Sequence, residues 1–266
     1  MLKLSGKTID TMYFPDGTLS FRIDVPDTKE LVVTWCFDSN EEMTTLFYLV
    51  NHIRAKNPKA DISLLMPYIP NARMDRVKNP DEVFTLRFFA GFINSLGFTE
   101  VMVCDPHSDV SAALIDNIKI LPHMPFIEKV MDETGFDPEN DIVFYPDAGC
   151  AKKYESLLKL PYLKGEKKRD WRTGIIQELE LHGSIPSSPF RVLIIDDICS
   201  KGGTFYHSAK KLLEAGASEI FLYVTHCEKT IFEGELLKCG IIRKIYTTDS
   251  VFTGEDPLIT IINRFR

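Results

Sequence analysis

Short apolar runs alternate along this chain with longer segments in which apolar residues recur every three or four positions. A short run bounded by polar residues is typical of a strand covered on both faces, and the longer spacing is typical of an amphipathic helix. Strands are predicted at or around residues 31–35, 62–65, 100–103, 142, 162, 175, 192–195 and 220, and helices at 40–53, 83–96, 151–158 and from 204. This alternation predicts an α/β fold with mainly parallel sheets.

The pattern is interrupted near the middle of the chain, at Pro122 and Pro125. Proline neither continues a helix nor fits a central strand, so a link between two units is predicted there. We expect an N-terminal domain over residues 1–124 and a C-terminal domain over residues 125–266. With 266 residues, 44% of them hydrophobic, the chain is long enough for both domains to bury a core.

Charge and composition argue against several partners and locations. The net charge of −7 disfavours a nucleic acid, because binding phosphates requires a basic surface. No apolar run has the length of a membrane span, and the N-terminal residues lack the apolar core of a signal peptide, so no membrane association is expected. The six cysteines are scattered without C-x-x-C spacing, which is typical of reduced thiols in a cytoplasmic protein.

The strongest chemical signal is the segment 191–205, RVLIIDDICSKGGTF. Its apolar first half predicts a central strand, and Asp196 and Asp197 follow at the carboxyl end, where open α/β sheets bind ligands. Gly202 and Gly203 then allow backbone N–H groups to approach a phosphate at the start of the next helix. The carboxylates suit sugar hydroxyls or a metal ion. The alternative, a solvated strand end before an ordinary turn, is disfavoured by the complete order of strand, acids, glycines and helix.

This segment resembles the phosphoribosyl pyrophosphate (PRPP) motif shared by type I phosphoribosyltransferases and ribose-phosphate pyrophosphokinases, also called PRPP synthetases. The resemblance implies that Asp196 and Asp197 hold ribose hydroxyls. It also implies that the 5-phosphate is bound by the loop residues, which are Ser200, Lys201, Gly202, Gly203 and Thr204. The motif alone does not separate the two kinds of enzyme.

Two segments near the middle of the first half resemble the ATP side of PRPP synthetases. In residues 66–76, MPYIPNARMDR, Arg73 and Asp75 match positions that the family carries to the ATP site. Residues 104–110, CDPHSDV, are similar to the family's Asp-x-His segment, in which His107 matches a magnesium ligand near the ATP phosphates. A phosphoribosyltransferase would leave these residues without a role, which makes that assignment weaker.

Two more segments complete the resemblance. In residues 143–149, VFYPDAG, Asp147 corresponds to the second protein ligand of the same Mg²⁺. In YFPDGTLS, Phe14 and Asp16 match adenine contacts that a neighbouring subunit often donates in the family. Taken singly, a histidine after a strand is usually a packing residue and a charged run is usually a solvated surface. The common order of the segments along nearly the whole chain favours the functional interpretation.

A run of mixed charge without apolar periodicity, KGEKKRDWRTG, occupies residues 164–174. On composition it predicts a solvated loop. By its position it resembles the mobile catalytic loop of PRPP synthetases, whose lysine and arginine close over the transferring phosphates. Lys167 and Arg169 are the best matches for these two residues, although Lys168 leaves the register open.

The resemblance implies two phosphoribosyltransferase-type, Rossmann-like domains in a duplicated architecture. It implies that the chain transfers the β,γ-pyrophosphoryl group of ATP, with Mg²⁺, to the C1 hydroxyl of ribose 5-phosphate, which gives PRPP and AMP. An assembly of identical subunits, a dimer or larger, is expected as well.

Four positions depart from the family pattern and leave two alternatives open. Met74 replaces a glutamine, Thr18 replaces a glutamate, Ser200 replaces an acid, and Lys201 adds a positive charge. The phosphate-loop changes suit a larger acceptor such as ADP-ribose. The changes at Met74 and Thr18 also suit a regulatory subunit that retains the fold without catalysis.

Overall fold

The computed structural model describes residues 1–169, 176–187, 189–262 and 264–266. Their contacts divide the chain into two units, Met1–Pro122 with Phe265–Arg266, and His123–Arg264. Each unit is built on its own mainly parallel sheet, which confirms the predicted α/β fold class.

The first unit combines a six-stranded sheet with a separate hairpin, counting the described residues. Its strands are β1 (Leu2–Leu4), β2 (Lys7–Thr8), β3 (Thr11–Tyr13), β4 (Leu19–Phe21), β5 (Glu30–Trp35), β6 (Asp61–Leu65), β7 (Glu100–Cys104) and β8 (Ile118–Leu121). The sheet order is β2-β1-β5-β6-β7-β8, in which β5 to β8 are parallel and β1 is antiparallel to its neighbours. Strands β3 and β4 form the antiparallel hairpin.

The helices of the first unit are α1 (Glu42–Lys56), α2 (Thr85–Ser95) and α3 (Asp109–Ala113). Ser39 and Asn40 are of residue types that favour an N-cap, but neither caps α1, because the N-cap residue is Glu41 and its side chain makes no capping hydrogen bond. Glu42 Oε2 instead accepts a hydrogen bond from the Trp35 indole N–H at 2.9 Å. The fully buried Trp35 needs an acceptor for its N–H, and Glu42 in the first turn of the helix supplies it.

The second unit has a sheet of seven described strands. They are β9 (Ile142–Tyr145), β10 (Tyr162–Arg169), β11 (Ile176–His182), β12 (Phe190–Cys199), β13 (Ala217–Cys227), β14 (Ile242–Thr248) and β15 (Ile259–Ile262). The order is β11-β10-β9-β12-β13-β14-β15, and all neighbours are parallel except β10 and β11. Its helices are α4 (Met124–Thr134), α5 (Ala148–Leu158), α6 (Gly203–Glu214) and a 3-10 helix at Lys229–Glu233.

Strand β12 lies in the centre of the second sheet, as its apolar run predicts. It is longer than predicted, because pairing with β13 continues through Asp196↔Val224 to Cys199↔Cys227. The acid pair therefore lies within the strand and not after it. Successive strand residues point to opposite faces, which places Asp196 and Asp197 in different surroundings. Asp197 is buried and Asp196 is half-buried.

Two predictions about connecting segments are wrong. Helix α4 begins at Met124, where only a link was expected, because a proline in the first turn of a helix needs no N–H partner. The charged run that starts at Lys164 was predicted as a loop, but its residues through Arg169 belong to β10 and pair with β11. Lysine and glutamate are common on strands near a sheet edge, so composition does not distinguish such a strand from a loop.

The rest of the charged run, residues 170–174, lies outside the described residues, as does the predicted strand position Ile175. The side chains of Lys167 and Arg169 also lie outside the description, so their catalytic role stays a prediction. Within the described ranges, no helix combines the length and the apolar character that crossing a bilayer requires. All six cysteines are described, and none forms a disulfide.

Candidate active site

The acid pair of the second unit is positioned by its own backbone and by one lysine. Asp196 Oδ1 accepts a hydrogen bond from the backbone N–H of Asp197 at 3.0 Å. Asp197 Oδ2 lies 3.5 Å from Nζ of Lys153, which α5 contributes. The side chains of Asp197 and Lys153 are only 10% and 23% exposed. The strand end therefore presents two carboxylates with different partners.

The two glycines of the loop after β12 differ in whether the fold requires glycine at that position. Gly202 has a φ of +78°, and a Cβ there would lie 2.7 Å from Leu236 Cδ2. Its backbone conformation and packing both require glycine. Gly203 is the first residue of α6, and a Cβ there would meet no atom within 4 Å. Neither packing nor φ requires glycine at Gly203, so the space above the helix N-terminus is open to a ligand.

The 3-10 helix at Lys229–Glu233 supports this loop from one side. Thr230 Oγ1 donates a hydrogen bond to Glu228 Oε2 at 3.2 Å and lies 3.0 Å from Ser200 Oγ. Since the single proton of the Thr230 hydroxyl goes to a carboxylate, the Ser200 hydroxyl is the donor to Thr230. The three residues form a chain of hydrogen bonds that fixes the Ser200 side chain.

Two further contacts hold the loop against the same segment. Lys201 Nζ lies 2.9 Å from Glu233 Oε2, and both side chains are exposed. A Cβ on Gly234 would lie 1.8 Å from the carbonyl oxygen of Lys201, so only glycine allows this close approach of backbone to backbone. The loop is thus braced by residues about thirty positions later in the sequence.

The start of α5 brings a third carboxylate to the same region. Asp147 is exposed and caps the helix, because its Oδ1 accepts a hydrogen bond from the Cys150 N–H at 3.0 Å. The Cys150 thiol donates to the Ile195 carbonyl oxygen of β12 at 3.0 Å. Burial raises the pKa of this thiol well above its usual value, and the negative charges of Asp196, Asp147 and Asp197 raise it further, whereas Lys153 lowers it. The contacts of Cys150 with Asp147 and with Ile195 therefore hold the start of α5 against β12, next to the acid pair.

In the first unit, the segments predicted for ATP follow neighbouring parallel strands. The loop after β6 and the end of β7 are joined by a hydrogen bond from Cys104 N–H to the Pro67 carbonyl oxygen at 2.9 Å. Arg73 is exposed on the first loop, and Asp75 forms an ion pair with Arg76 at 3.3 Å. His107 is half-buried on the second. These residues lie beyond the carboxyl edge of one sheet, where α/β folds bind ligands.

The predicted adenine contacts lie on the hairpin of β3 and β4. Phe14 follows β3 at the turn of this hairpin and is 52% exposed. The carboxylate of Asp16 accepts hydrogen bonds from the Thr18 hydroxyl at 2.7 Å and the Thr18 N–H at 3.0 Å. The hydroxyl bond and then the backbone bond lower the pKa of Asp16. Thr18, which replaces the expected glutamate, therefore hydrogen-bonds to Asp16 within the turn.

The second unit brings together the residues predicted from its motifs, namely Asp147 and the PRPP-motif residues. His107 belongs to the first unit and Asp147 to the second, so a metal ion shared by the two stays a prediction. Within the described part of the chain, no group of three or more His, Cys, Asp and Glu side chains forms a metal site. An exposed carboxylate such as Asp147 fits Mg²⁺, which takes few protein ligands and retains water or phosphate oxygens.

The motif comparison missed Lys153, Thr230 and Glu228. Lys153 lies six positions after Asp147 on a helix whose buried residues are Cys150, Ala151 and Tyr154, and its place on this helix was the available signal. Thr230 and Glu228 carry no local signal, because the contact of Thr230 with Ser200 joins residues thirty positions apart.

No family model matches the chain. The ribose-phosphate pyrophosphokinase of Pasteurella multocida is 26% identical over 270 residues, which cover 95% of this chain and 81% of the relative. That of Staphylococcus aureus strain Mu50 is 29% identical over 202 residues, 74% of this chain and 62% of the relative. The PRPP synthetase structure from Mycobacterium smegmatis superposes with a TM-score of 0.77 at 19% identity and covers 96% of this chain and 86% of that one. These similarities confirm the relationship that the motifs predicted.

Proposed function

We propose that this chain, a relative of the ribose-phosphate pyrophosphokinases with the PRPP synthetase fold, transfers the β,γ-pyrophosphoryl group of ATP to the C1 hydroxyl of ribose 5-phosphate. The oxygen of the C1 hydroxyl attacks the β-phosphorus, the bond from that phosphorus to the α,β-bridging oxygen breaks, and AMP leaves. The hydroxyl proton is released. The observation that carries the proposal is the arrangement at the end of β12, where an acid pair is followed by an open backbone at the start of α6.

The acceptor suits this arrangement group by group. The 5-phosphate lies against backbone N–H groups of the first turn of α6, over Gly203 and beside the Thr204 hydroxyl. Asp196 and Asp197 accept hydrogen bonds from ribose hydroxyls, because ionised carboxylates are acceptors only. A twelve-residue helix supplies the positive end of a dipole to the phosphate.

The loops of the first unit support an ATP site. Arg73 offers a planar group of N–H donors that matches phosphate oxygens, and His107 lies on the adjacent loop. Phe14 presents an exposed ring on which an adenine base stacks. Lys167 and Arg169 are proposed to stabilise the negative charge on the transferred group.

Magnesium fits the chemistry of the two assigned ligands, His107 and Asp147. Mg²⁺ held by these two residues would neutralise negative charge of the ATP phosphates. Asp147 is fixed by its role as a helix cap, in which Oδ1 accepts a hydrogen bond from the Cys150 N–H, and the residue is exposed. The acceptor site itself is built by hydrogen-bonding groups of the second unit.

The geometry of Lys201 favours ribose 5-phosphate over a larger acceptor. A second phosphate, as in ADP-ribose, would use the positive charge that Lys201 adds to the loop. Glu233 already neutralises this charge at 2.9 Å. Because both side chains are exposed, the attraction between them is weak. The charge of Lys201 is still partly neutralised, which disfavours the larger acceptor.

The deciding experiment incubates the protein with ATP and Mg²⁺ and follows AMP release with each acceptor in turn. Turnover with ribose 5-phosphate, and much slower turnover with ADP-ribose, is expected. Turnover with ADP-ribose alone would replace the proposed acceptor. No AMP release with either acceptor, even at high Mg²⁺, would favour the non-catalytic alternative suggested by Met74 and Thr18.

Removing the Thr230 hydroxyl tests the bracing of the phosphate loop. Thr230→Val is expected to raise KM for ribose 5-phosphate by about two- to tenfold, because one hydrogen bond contributes about 0.5–1.5 kcal/mol. KM for ATP should be unchanged. The double variant Ser200→Ala, Thr230→Val should be no worse than the stronger single variant, because both changes break the same bond.

Thr230→Ser is the matched control for this prediction. It keeps the hydroxyl and should preserve KM for the acceptor near the wild-type value. Equal rises of KM for ATP and ribose 5-phosphate in Thr230→Val would contradict the assignment.

A further inference from the structure

The buried carboxylate of Asp197 is paired with a lysine that lies outside the PRPP motif. Lys153 projects from α5, and its Nζ is 3.5 Å from Asp197 Oδ2. Both side chains are largely screened from water, at 23% and 10% exposure. Because a buried ion is strongly unfavourable without a partner, Lys153 compensates the charge of Asp197 and restricts its position.

The surroundings of this pair are strongly negative. Asp196 precedes Asp197 in β12, and Asp147 caps α5, the helix that carries Lys153. The Cys150 thiol in the first turn of α5 donates a hydrogen bond to the Ile195 carbonyl oxygen at 3.0 Å, which holds the start of the helix beside the acid pair. A phosphorylated acceptor adds roughly two further negative charges. A cation within this group therefore reduces the repulsion that the acceptor meets.

We propose that Lys153 is a positioning residue that acts as a fixed counter-ion of the acceptor site. It orients Asp197 toward a ribose hydroxyl and stands where a divalent cation would otherwise bind between the carboxylates. Carboxylate oxygens are preferred ligands of Mg²⁺ and Mn²⁺, so the group would attract a metal ion of its own without Lys153. With Lys153 in place, a divalent cation binds with the nucleotide and not at the carboxylates of the acceptor site. This inference rests on the proposed function and assigns a role within the same site.

The test uses two measurements on Lys153→Met, both without ATP. Calorimetric titration with ribose 5-phosphate is expected to show affinity reduced by about tenfold or more, because the ion pair that restricts Asp197 is lost. Electron paramagnetic resonance of free Mn²⁺ is expected to show Mn²⁺ binding that the wild-type protein lacks. Added Mn²⁺ should then restore part of the acceptor affinity, which a purely structural role of Lys153 would not produce.

Three variants control the comparison. Lys152→Met removes the same charge from an exposed position of α5 and should match the wild-type protein in both measurements. Lys153→Arg keeps the charge and should retain acceptor binding without a new Mn²⁺ site. If Lys153→Met does not fold, the double variant Lys153→Met, Asp197→Asn removes both charges of the pair. It should bind ribose 5-phosphate weakly, and Mn²⁺ should not restore its affinity.

The outcomes separate this inference from the proposed function. Failure of the wild-type protein to bind ribose 5-phosphate would overturn the proposed acceptor, and this inference with it. Wild-type binding with Lys153→Met indistinguishable from Lys152→Met would overturn the role of Lys153 alone. Reduced acceptor affinity with neither Mn²⁺ binding nor Mn²⁺ rescue would also overturn the counter-ion role.

Discussion

Replacing Gly203 by alanine is expected to leave the fold intact, or to stabilise it by up to about 1 kcal/mol, while weakening ribose 5-phosphate binding strongly. The backbone of Gly203 needs no positive φ, and an added Cβ meets no protein atom within 4 Å. The methyl group would occupy the space in which the phosphate approaches the backbone. Overfilling a well-packed site costs about 1–3 kcal/mol, which corresponds to about 5- to 150-fold in affinity. Gly203→Val should weaken binding further.

Two other glycines give matched controls for this prediction. Gly91 lies exposed within α2, also with no atom within 4 Å of a Cβ, so Gly91→Ala should stabilise the protein without changing acceptor binding. Gly202→Ala should destabilise the fold, because Gly202 has a φ of +78° and packs against Leu236. The measurements are chemical denaturation and calorimetric titration with ribose 5-phosphate. Unchanged affinity in both Gly203 variants would place the phosphate elsewhere.

Replacing Asp147 by asparagine is expected to lower kcat by about 10²-fold or more and to raise the Mg²⁺ concentration required for half-maximal rate. Asparagine caps helices about as well as aspartate, so α5 should keep its bond from the Cys150 N–H. The substitution removes the negative charge that a magnesium ligand supplies and retains the structural role. Acceptor binding without ATP should change little, since the PRPP motif is untouched.

Asp147→Ala separates the two roles of this residue. It removes the cap as well, and the free energy of unfolding should fall by about 0.5–2 kcal/mol relative to Asp147→Asn. His107→Ala should shift the Mg²⁺ titration in the same direction as Asp147→Asn if the two residues share one metal ion. A magnesium titration of Asp147→Asn that coincides with the wild-type curve would exclude the ligand role.

The central strands of both sheets were predictable from the sequence. Short apolar runs indicated β5, β6, β7 and β12. The run in β12 is buried on both faces, whereas β5 and β6 bury alternate residues only. Other elements were not predictable in this way. The sequence of strand β10, which lies next to the edge strand β11, is typical of a charged loop, because strands near a sheet edge tolerate charged residues. The start of α1 involves a hydrogen bond with the indole of Trp35.

The candidate site divides in the same way. The PRPP motif, the Pro-Asp loop and the segments with Arg73 and His107 are recognisable because each is a contiguous stretch at the end of a strand. Lys153 and Thr230 were not recognisable as site residues. Each of them has a side-chain contact with a site residue 30 to 44 positions away along the chain, and no local pattern encodes such a contact.

The sequence by itself determined the alternation of strands and helices, the chemistry at the ends of the central strands, and the kinship with PRPP synthetases. These depend on residues that are neighbours along the chain. Only the tertiary structure decided that β12 carries the acid pair inside the strand, that Lys153 balances Asp197, and that Thr230 braces Ser200. The physical reason is that pairing β12 with β13 and packing α5 beside them bring distant side chains within a few ångströms, where charge and hydrogen bonding act.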